Sequence, residues 1–509
     1  MNQPKSMAGT PTSSPPTGSS PQPHTGRRVL LNTGALAGSS LWRIAISFVL
    51  QVLIARMLGV AQLGQYISAL AFLNLAQVVS ELGLPNLLVR DLAQEPEQRR
   101  VYFFTALRFQ LISALLTWLA LIGLSMVLPI STDLRTMLWL VGASLPFYAV
   151  TSVGQTLFQA SERMELVMGV DGLINTLILA LSVGLLFLGG QARQLIAVLV
   201  FTQAISAGVS LLLATRNRLL PRIEAPISVT WAELWRDARP FYGLSLADVL
   251  LHRLDILLLN VVGGDLLIGV YSIAYSLVRV VIKLIQSYWK ALYPTFSRLR
   301  LESPSQYRRL AALGLRYGLM IALPGAALTL GLAGPVLTLL YGDKALASVR
   351  TFQTLVWMTP FFLVEMYAIT LLMAERFPRQ SLLLTGVHIG GVALLLPPLT
   401  FYSGALGAAL AMVMASALGA TGGLYLLHRH HISIRVDKLW ALLAATALAG
   451  AVSLWPPLPW IARGLLGGLL YLAVIWISGV FTPEDRALFW RAVRGREKET
   501  NASLQKAGS

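Results

Sequence analysis

GVAQLGQY occupies residues 59–66, and GDLLIGVY occupies residues 264–271. Both stretches have the pattern G-x4-G-x-Y, and each stands between two long apolar segments. The copies are 264 − 59 = 205 residues apart. A turn that recurs between corresponding apolar segments indicates two similar halves of one chain. The alternative is that a Gly-x-Tyr turn recurs by chance, so the surrounding segments decide.

The composition identifies the class of protein. The chain has 509 residues, of which 55% are hydrophobic and 12% charged, and its mean hydropathy is +0.66. A soluble domain carries about 25% charged residues. We therefore predict an all-α integral membrane protein. The absence of cysteine excludes disulfides and thiolate metal sites.

Apolar segments long enough to cross a bilayer recur along the chain, since a spanning helix needs about 20 apolar residues. We predict about fourteen spans, near residues 32–55, 65–84, 103–127, 137–160, 170–189, 194–215, 241–262, 268–293, 312–333, 352–373, 381–400, 405–427, 439–456 and 461–480.

The basic residues give these spans a direction. With the N-terminus inside, 27 of the 40 Lys and Arg residues fall in inside segments, 6 in outside loops and 7 within spans. This asymmetry is the positive-inside pattern, and it places both termini in the cytoplasm. It also accounts for much of the net charge of +17 without a nucleic-acid partner.

The longest inside loop divides the spans into two sets of six, and both copies of the repeated turn follow the first span of their set. We predict two six-helix lobes around a central cavity, plus two C-terminal helices. The expected units are a disordered cytoplasmic tail (1–29), an N-terminal lobe (30–216), a cytoplasmic linker (217–240), a C-terminal lobe (241–427), helices 13 and 14 (428–480), and a basic cytoplasmic tail (481–509).

Motifs for covalent chemistry are missing from the sequence. It contains no G-x4-G-K-[ST], no H-E-x-x-H and no G-x-S-x-G. HRHH at 428–431 lies in a basic inside segment without acidic partners, which favours a solvated loop over a metal site. The outside loops are too short for an acceptor-binding domain. We therefore expect a carrier rather than an enzyme, with no cofactor, no metal and no catalytic residue.

Ionisable residues within spans point to function, because they are costly in lipid. On the eighth span, Arg279, Lys283, Gln286 and Lys290 fall within an arc of about 80° at 100° per residue. With Ser272 and Tyr293, this polar stripe is roughly 31 Å long at 1.5 Å per residue. We predict that it lines a wet cavity, although Lys290 alone is explained by snorkelling to the interface.

Other charged positions have two open interpretations. Asp248, His252 and Asp255 share one face of the seventh span, and Arg253 lies on another. The two aspartates either pair with nearby bases or couple transport to a cation.

Further charges lie on the first, second, tenth and eleventh spans. Arg43 and Glu81 have opposite charges on the first two spans, and whether they meet is open. Glu365 is an isolated acid with the same two interpretations as the aspartates, and His388 is typical of a satisfied core histidine. A further set lies near inner span ends, where snorkelling explains it: Arg108, Asp171 and Arg316.

Several stretches together resemble one family. They are ARMLGVAQLGQY, ELGLPNLLVRDLAQ, RLDILLLNVVGGDLLIGVYSIAYSL and YSGALGAALA, in that order along residues 30–480. The pattern resembles the oligosaccharide/polysaccharide flippases of the multidrug/oligosaccharidyl-lipid/polysaccharide exporter superfamily.

This resemblance implies a bacterial inner-membrane protein that moves an undecaprenyl-diphosphate-linked glycan to the outer leaflet by alternating access. It also implies a cavity lined by helices one, two, seven and eight, and glycan polymerases are possible partners. Position and chemistry alone suggest the anion-binding residues: Arg43, Arg253, Arg279, Lys283, Gln286 and Lys290.

Three alternatives remain at this point. A lipid II flippase of the same superfamily would use the same logic. A cation-coupled multidrug exporter would need a more acidic cavity. A non-transporting membrane subunit of a glycan-assembly complex would not need a charged stripe along a whole span.

Overall fold

The computed structural model describes residues 42–94, 99–217, 219, 231–432, 438–455 and 457–480. All regular secondary structure in these ranges is helical, which confirms the predicted all-α membrane class. The predicted tails at 1–29 and 481–509 lie outside the described residues.

The helices follow the predicted apolar segments closely. Their bounds are α1 (residues 42–57), α2 (Val60–Glu81), α3 (Leu84–Gln94), α4 (Arg99–Val127), α5 (Thr132–Ala160), α6 (Met164–Phe187), α7 (Ala192–Arg216), α8 (Trp231–Val262), α9 (Asp265–Glu302), α10 (Pro304–Tyr341), α11 (Val349–Leu355), α12 (Met358–Ala374), α13 (Pro378–Arg429), α14 (Leu439–Ser453) and α15 (Trp460–Ile477).

The predicted number of spans is not confirmed. Among the described residues, 9 helices are long and apolar enough to cross a membrane, or 10 if the bent pair Asp343–Leu355 and Met358–Ala374 is one span. The 52-residue α13 is bent at Gly404, whose φ of 58° and ψ of −138° are not helical. The spans predicted at 381–400 and 405–427 meet at this bend.

Two groups of helices and an appended pair make up the bundle. In the first half of the chain, α5 packs against α2, α4 and α7, and in the second half α13 packs against α8 and α12. The last two helices, α14 and α15, pack against each other and against α10. Small residues allow close contacts between helices in an apolar solvent. Gly423 is one example, because a Cβ there would overlap the Ala368 side chain.

Helix α2 connects the two halves, because it lies against both α8 and α9, which make few contacts with each other. Near its start, a Cβ on Gly64 would overlap the carbonyl oxygen of Asp265 at the start of α9. Just after its end, a Cβ on Gly83 would overlap the backbone of Ala238 and Tyr242 in α8. Both ends of α2 therefore approach the second half at backbone distance.

The beginning of α8 is part of the first half's core. This helix starts at Trp231, within the segment expected to be a linker. Leu234 and Ala238 are buried in a cluster that also contains Leu84 and Phe103. Pro240 lies inside the helix immediately after this contact. The chain thus passes from one half to the other within a single helix.

Candidate functional site

Helices α8 and α9 bring three cationic side chains into one cluster. Arg253 on α8 lies within electrostatic range of Arg279 on α9. Lys283 lies within range of both arginines, and of Lys290 one further step along α9. Residues three and four apart share a helix face, so the spacing from Arg279 to Lys290 keeps these cations on one side of α9. We call Arg253, Arg279, Lys283 and Lys290 the cationic cluster.

His252 connects the two helices inside this cluster. Its Nε2 atom lies 3.4 Å from the Nζ of Lys283 and 3.4 Å from the Nε2 of Gln286. Its Nδ1 atom lies 2.8 Å from the backbone oxygen of Asp248 and 3.5 Å from the carboxylate of the same residue. Lys283 also donates a hydrogen bond of 3.0 Å to Oε1 of Gln286.

Asp255 supplies a buried counter-charge beneath the cluster. Its side chain accepts hydrogen bonds of 2.8 Å from the Tyr271 hydroxyl and 2.8 Å from the backbone N–H of Ile256. It also interacts electrostatically with Arg253 and Arg279. A buried carboxylate is stable only with such partners, and it offsets part of the repulsion between the two arginines.

The cluster stands on the open side of α9. Lys283 and Lys290 are exposed, whereas Ile282, Ile285 and Trp289 on the opposite side are buried. Charged groups cannot face hydrocarbon without a large cost, so this side of α9 must contact water or a polar ligand. The arrangement can bind an anion through several charge-assisted hydrogen bonds.

The first half of the chain contains a different polar cluster. The Glu81 carboxylate at the end of α2 accepts hydrogen bonds from Tyr148, at 2.7 Å, and Ser152, at 2.9 Å, both on α5. Among the described residues, its contacts include no Lys or Arg side chain. Glu81 is therefore held by hydroxyl groups and not by an ion pair.

Arg43 lies in this first-half cluster and not among the bases of α8 and α9. Its described electrostatic partners are Asp171 and Tyr148. Asp171 also accepts a hydrogen bond of 2.7 Å from Gln155. The pair considered from the sequence, Arg43 with Glu81, is thus replaced by Arg43 with Asp171.

A third polar site, in the second half, joins two residues that the sequence presented separately. His388 Nδ1 on α13 lies 2.8 Å from the Glu365 carboxylate on α12, and the two side chains are 3% and 2% exposed. A Cβ on Gly419 would overlap that carboxylate, so glycine at this position makes room for the pair. A cavity of about 210 Å³ separates His388 from Asp255, with Leu254 and Met412 among its apolar lining residues.

Sequence reasoning missed the hydroxyl and amide partners. Tyr148, Ser152 and Gln155 are ordinary residues of a long helix, and only the tertiary packing shows that they face carboxylates. The snorkelling interpretation was also wrong for Arg316, which is only 8% exposed and lies 5.4 Å from the ring centroid of Tyr317. For exposed Arg108, that interpretation agrees with the structure. No group of three metal-ligating residues occurs in the part of the chain that the structure describes.

Residues 29–300 match the model of a family described as polysaccharide biosynthesis protein. That range includes the first lobe, α8 and nearly all of α9. The chain belongs to this family. A search of curated proteins finds no match.

Solved structures extend the likeness of this family member to nearly its whole length. A lipid II flippase MurJ in an inward closed conformation is similar with a TM-score of 0.68 and 13% identity, over 89% of this chain and 99% of the other. A multidrug resistance MATE family transporter of the MOP superfamily, facing inward, has a TM-score of 0.59 and 15% identity, over 76% and 94%. These similarities confirm the fold.

The family and the fold together confirm two predictions. The resemblance to flippases of this superfamily is confirmed by the family match and the shared fold. The prediction of a transporter rather than an enzyme is confirmed at the same level, because the structures that share the fold are a flippase and a transporter. The protein is a multi-pass membrane protein of flippase type.

Proposed function

We propose that the protein moves a diphosphate-linked glycan, carried on an undecaprenyl-type lipid, from the cytoplasmic to the outer leaflet of a bacterial inner membrane. The observation that carries this proposal is the cationic cluster on α8 and α9. Arg253, Arg279 and Lys283 lie within electrostatic range of one another, and Asp255 is the buried acid nearest the arginines. Such a surplus of bases suits an anion.

The diphosphate group is the part of the substrate that most needs this site. It carries about two negative charges, and moving it into hydrocarbon without partners would be prohibitively costly. Arg279 presents a planar guanidinium that binds phosphate oxygens in pairs, and Lys283 contributes a mobile ammonium group. The lipid tail remains in the bilayer while the glycan occupies the space between the lobes.

The membrane potential is a sufficient driving force in principle. Moving one elementary charge through 100 mV is worth about 2.3 kcal/mol, so a dianion leaving a negative interior gains about 4.6 kcal/mol. In the proposed orientation both termini are cytoplasmic and α2 and α9 begin at the outer face. Glycan polymerases are the expected partners after translocation.

The acidic residues divide by their surroundings. Asp255 and Glu365 have buried partners, Tyr271 and His388, which favours a pairing role. Glu81 has hydroxyl donors and no described base, which makes it the strongest candidate for binding a coupling cation or proton. Asp248 is exposed at the edge of the cluster, where it limits the local positive charge.

A multidrug exporter is the second candidate, since a MATE transporter shares the fold. Cationic drugs require an acidic cavity, however, and the bases of α8 and α9 would repel them. The polysaccharide family match also favours the glycan substrate.

Export in cells that lack their own flippase tests the proposal. Arg279→Gln and Lys283→Gln are compared with Arg298→Gln as the matched control, because Arg298 is an exposed base on the same helix, paired with Glu302 at 3.7 Å. At equal membrane levels, we expect the two cluster variants to lose surface glycan and to accumulate lipid-linked precursor. Normal export by both would refute anion binding by the cluster.

A further inference from the structure

The repeated G-x4-G-x-Y motif acquires a physical meaning where α2 and α9 cross. A Cβ on Gly64 would overlap the carbonyl oxygen of Asp265, and a Cβ on Gly269 would overlap the carbonyl oxygen of Val60. Residues 60 and 265 are equivalent in the repeat, as are residues 64 and 269. Each second glycine of the motif therefore packs against the residue that follows the first glycine of the other copy. The crossing has an approximate twofold symmetry.

The other motif positions have different tasks. Gly59 has a φ of 94°, which favours glycine, whereas Gly264 has an ordinary extended backbone with a φ of −105°. Tyr66 and Tyr271 are both buried. Tyr271 also donates a hydrogen bond of 2.8 Å to Asp255 on α8, which ties α9 to its own lobe. Only the second glycine of each copy contacts the other lobe at backbone distance.

Polar contacts surround the crossing at the same end of the bundle. Gln65 Nε2 donates a hydrogen bond of 2.8 Å to Asp265 Oδ2 across the lobes. Arg56 at the end of α1 donates to the backbone oxygens of Leu339 and Leu340 at the end of α10, the latter at 2.7 Å. A cation at the C-terminus of a helix is favourable, because the last carbonyl groups lack helical partners.

We propose that the Gly64–Gly269 crossing is the outer gate of the transport cycle, closed in this structure and separated when the glycan is released. Glycine is required because the gate closes by contact between two backbones, without side chains that interlock. Such a surface separates and rejoins without repacking a core. The surrounding polar contacts exchange readily for water at the outer face. This inference rests on the proposed export by alternating access.

A pair of cysteines tests the gate in the full-length protein, which has no native cysteine. Gln65→Cys with Asp265→Cys is treated with a short thiol-specific crosslinker, and surface glycan is measured before and after reduction. We expect crosslinking to abolish export and reduction to restore it. The matched control is Gln62→Cys with Ala192→Cys, two positions joined within the first lobe by a hydrogen bond of 3.0 Å. Crosslinking this pair should leave export unchanged.

The outcomes separate the gate from the transport function. Unchanged export by the crosslinked Gln65/Asp265 pair overturns the gate and leaves the flippase proposal standing. Absence of export even in the unsubstituted protein overturns the flippase proposal instead.

A labelling experiment tests the gate without requiring export. Lys283→Cys serves as the reporter, and a membrane-impermeant thiol reagent is added outside the cell. We expect Gly64→Ala to increase the labelling rate, because the added methyl group forces the helices apart. Gly123→Ala is the control, since a Cβ at Gly123 meets no atom within 4 Å. An unchanged labelling rate in Gly64→Ala would overturn the gate.

Discussion

The helix pairs α1–α2 and α8–α9 have the same turn, the same crossing glycine and opposite charges. With the offset of 205 residues, Asp248 corresponds to Arg43, Arg279 to Asn74, and Gln286 to Glu81. At two of these positions the charge differs in sign or is absent. The repeat thus preserves the backbone contacts between the lobes, while the polar groups that face the cavity have diverged.

The two halves also stabilise their acids differently. Glu81 in the first half accepts hydrogen bonds from two hydroxyl groups on α5. Asp255 in the second half lies near two arginines and accepts a hydrogen bond from Tyr271. The difference suggests a division of labour, in which the second half binds the substrate anion and the first half holds an acid free to titrate.

The largest expected effect comes from reversing a charge in the second half. Arg279→Glu places an anion beside the substrate phosphates, and we expect export to fall roughly 100-fold, the equivalent of losing about 3 kcal/mol of charge-assisted binding. Surface glycan per molecule of flippase in the membrane measures the effect. Export above half of normal would contradict the role of Arg279.

Moving the charge to the equivalent position sharpens the comparison between halves. Arg279→Asn should reduce export roughly tenfold. Adding Asn74→Arg to the same chain should not restore it, because Asn74 lies on α2, away from Lys283 and Arg253. Recovery in the double variant would show that the two halves share one symmetric site.

The next effect concerns stability. Asp255→Asn removes the counter-charge of two arginines, and we expect it to cost about 2 kcal/mol more than Glu81→Gln, since an uncompensated buried charge is unfavourable. The apparent melting temperatures of the purified proteins in one detergent measure the order. A lower melting temperature for Glu81→Gln than for Asp255→Asn would reverse the assignment of the two acids.

The smallest expected effect tests the Glu365–His388 pair, which has no equivalent described in the first half. Gly419→Ala pushes a methyl group into the Glu365 carboxylate and should cost about 1–3 kcal/mol of stability, as overpacking does. Gly390→Ala, on the same helix with no atom within 4 Å of a Cβ, serves as the control. Equal melting temperatures for the two variants would mean that the pair adapts freely.

The fold was largely predictable because its signals are local. Apolar length predicts each helix, and the repeated turn predicts the two similar halves. The number of spans was harder, since a bend such as that at Gly404 merges two segments and α14 has only 15 residues.

The candidate site was predictable along one helix and not between helices. Periodicity places Arg279, Lys283 and Gln286 on one face of α9. It contains no information on how deep one helix lies relative to another, so it could not show that Arg43 faces Asp171 or that Glu365 meets His388. Those contacts depend on tertiary packing.

The most direct measurement is the affinity of the purified protein for undecaprenyl diphosphate in lipid nanodiscs. The unsubstituted protein is compared with the double variant Arg279→Gln, Lys283→Gln and with Arg298→Gln as control. Anion binding by α8 and α9 predicts that the double variant binds at least about tenfold more weakly, since it loses two charge-assisted contacts, and that the control binds normally. Equal Kd values for all three proteins would contradict the assignment of the cationic cluster as the diphosphate site.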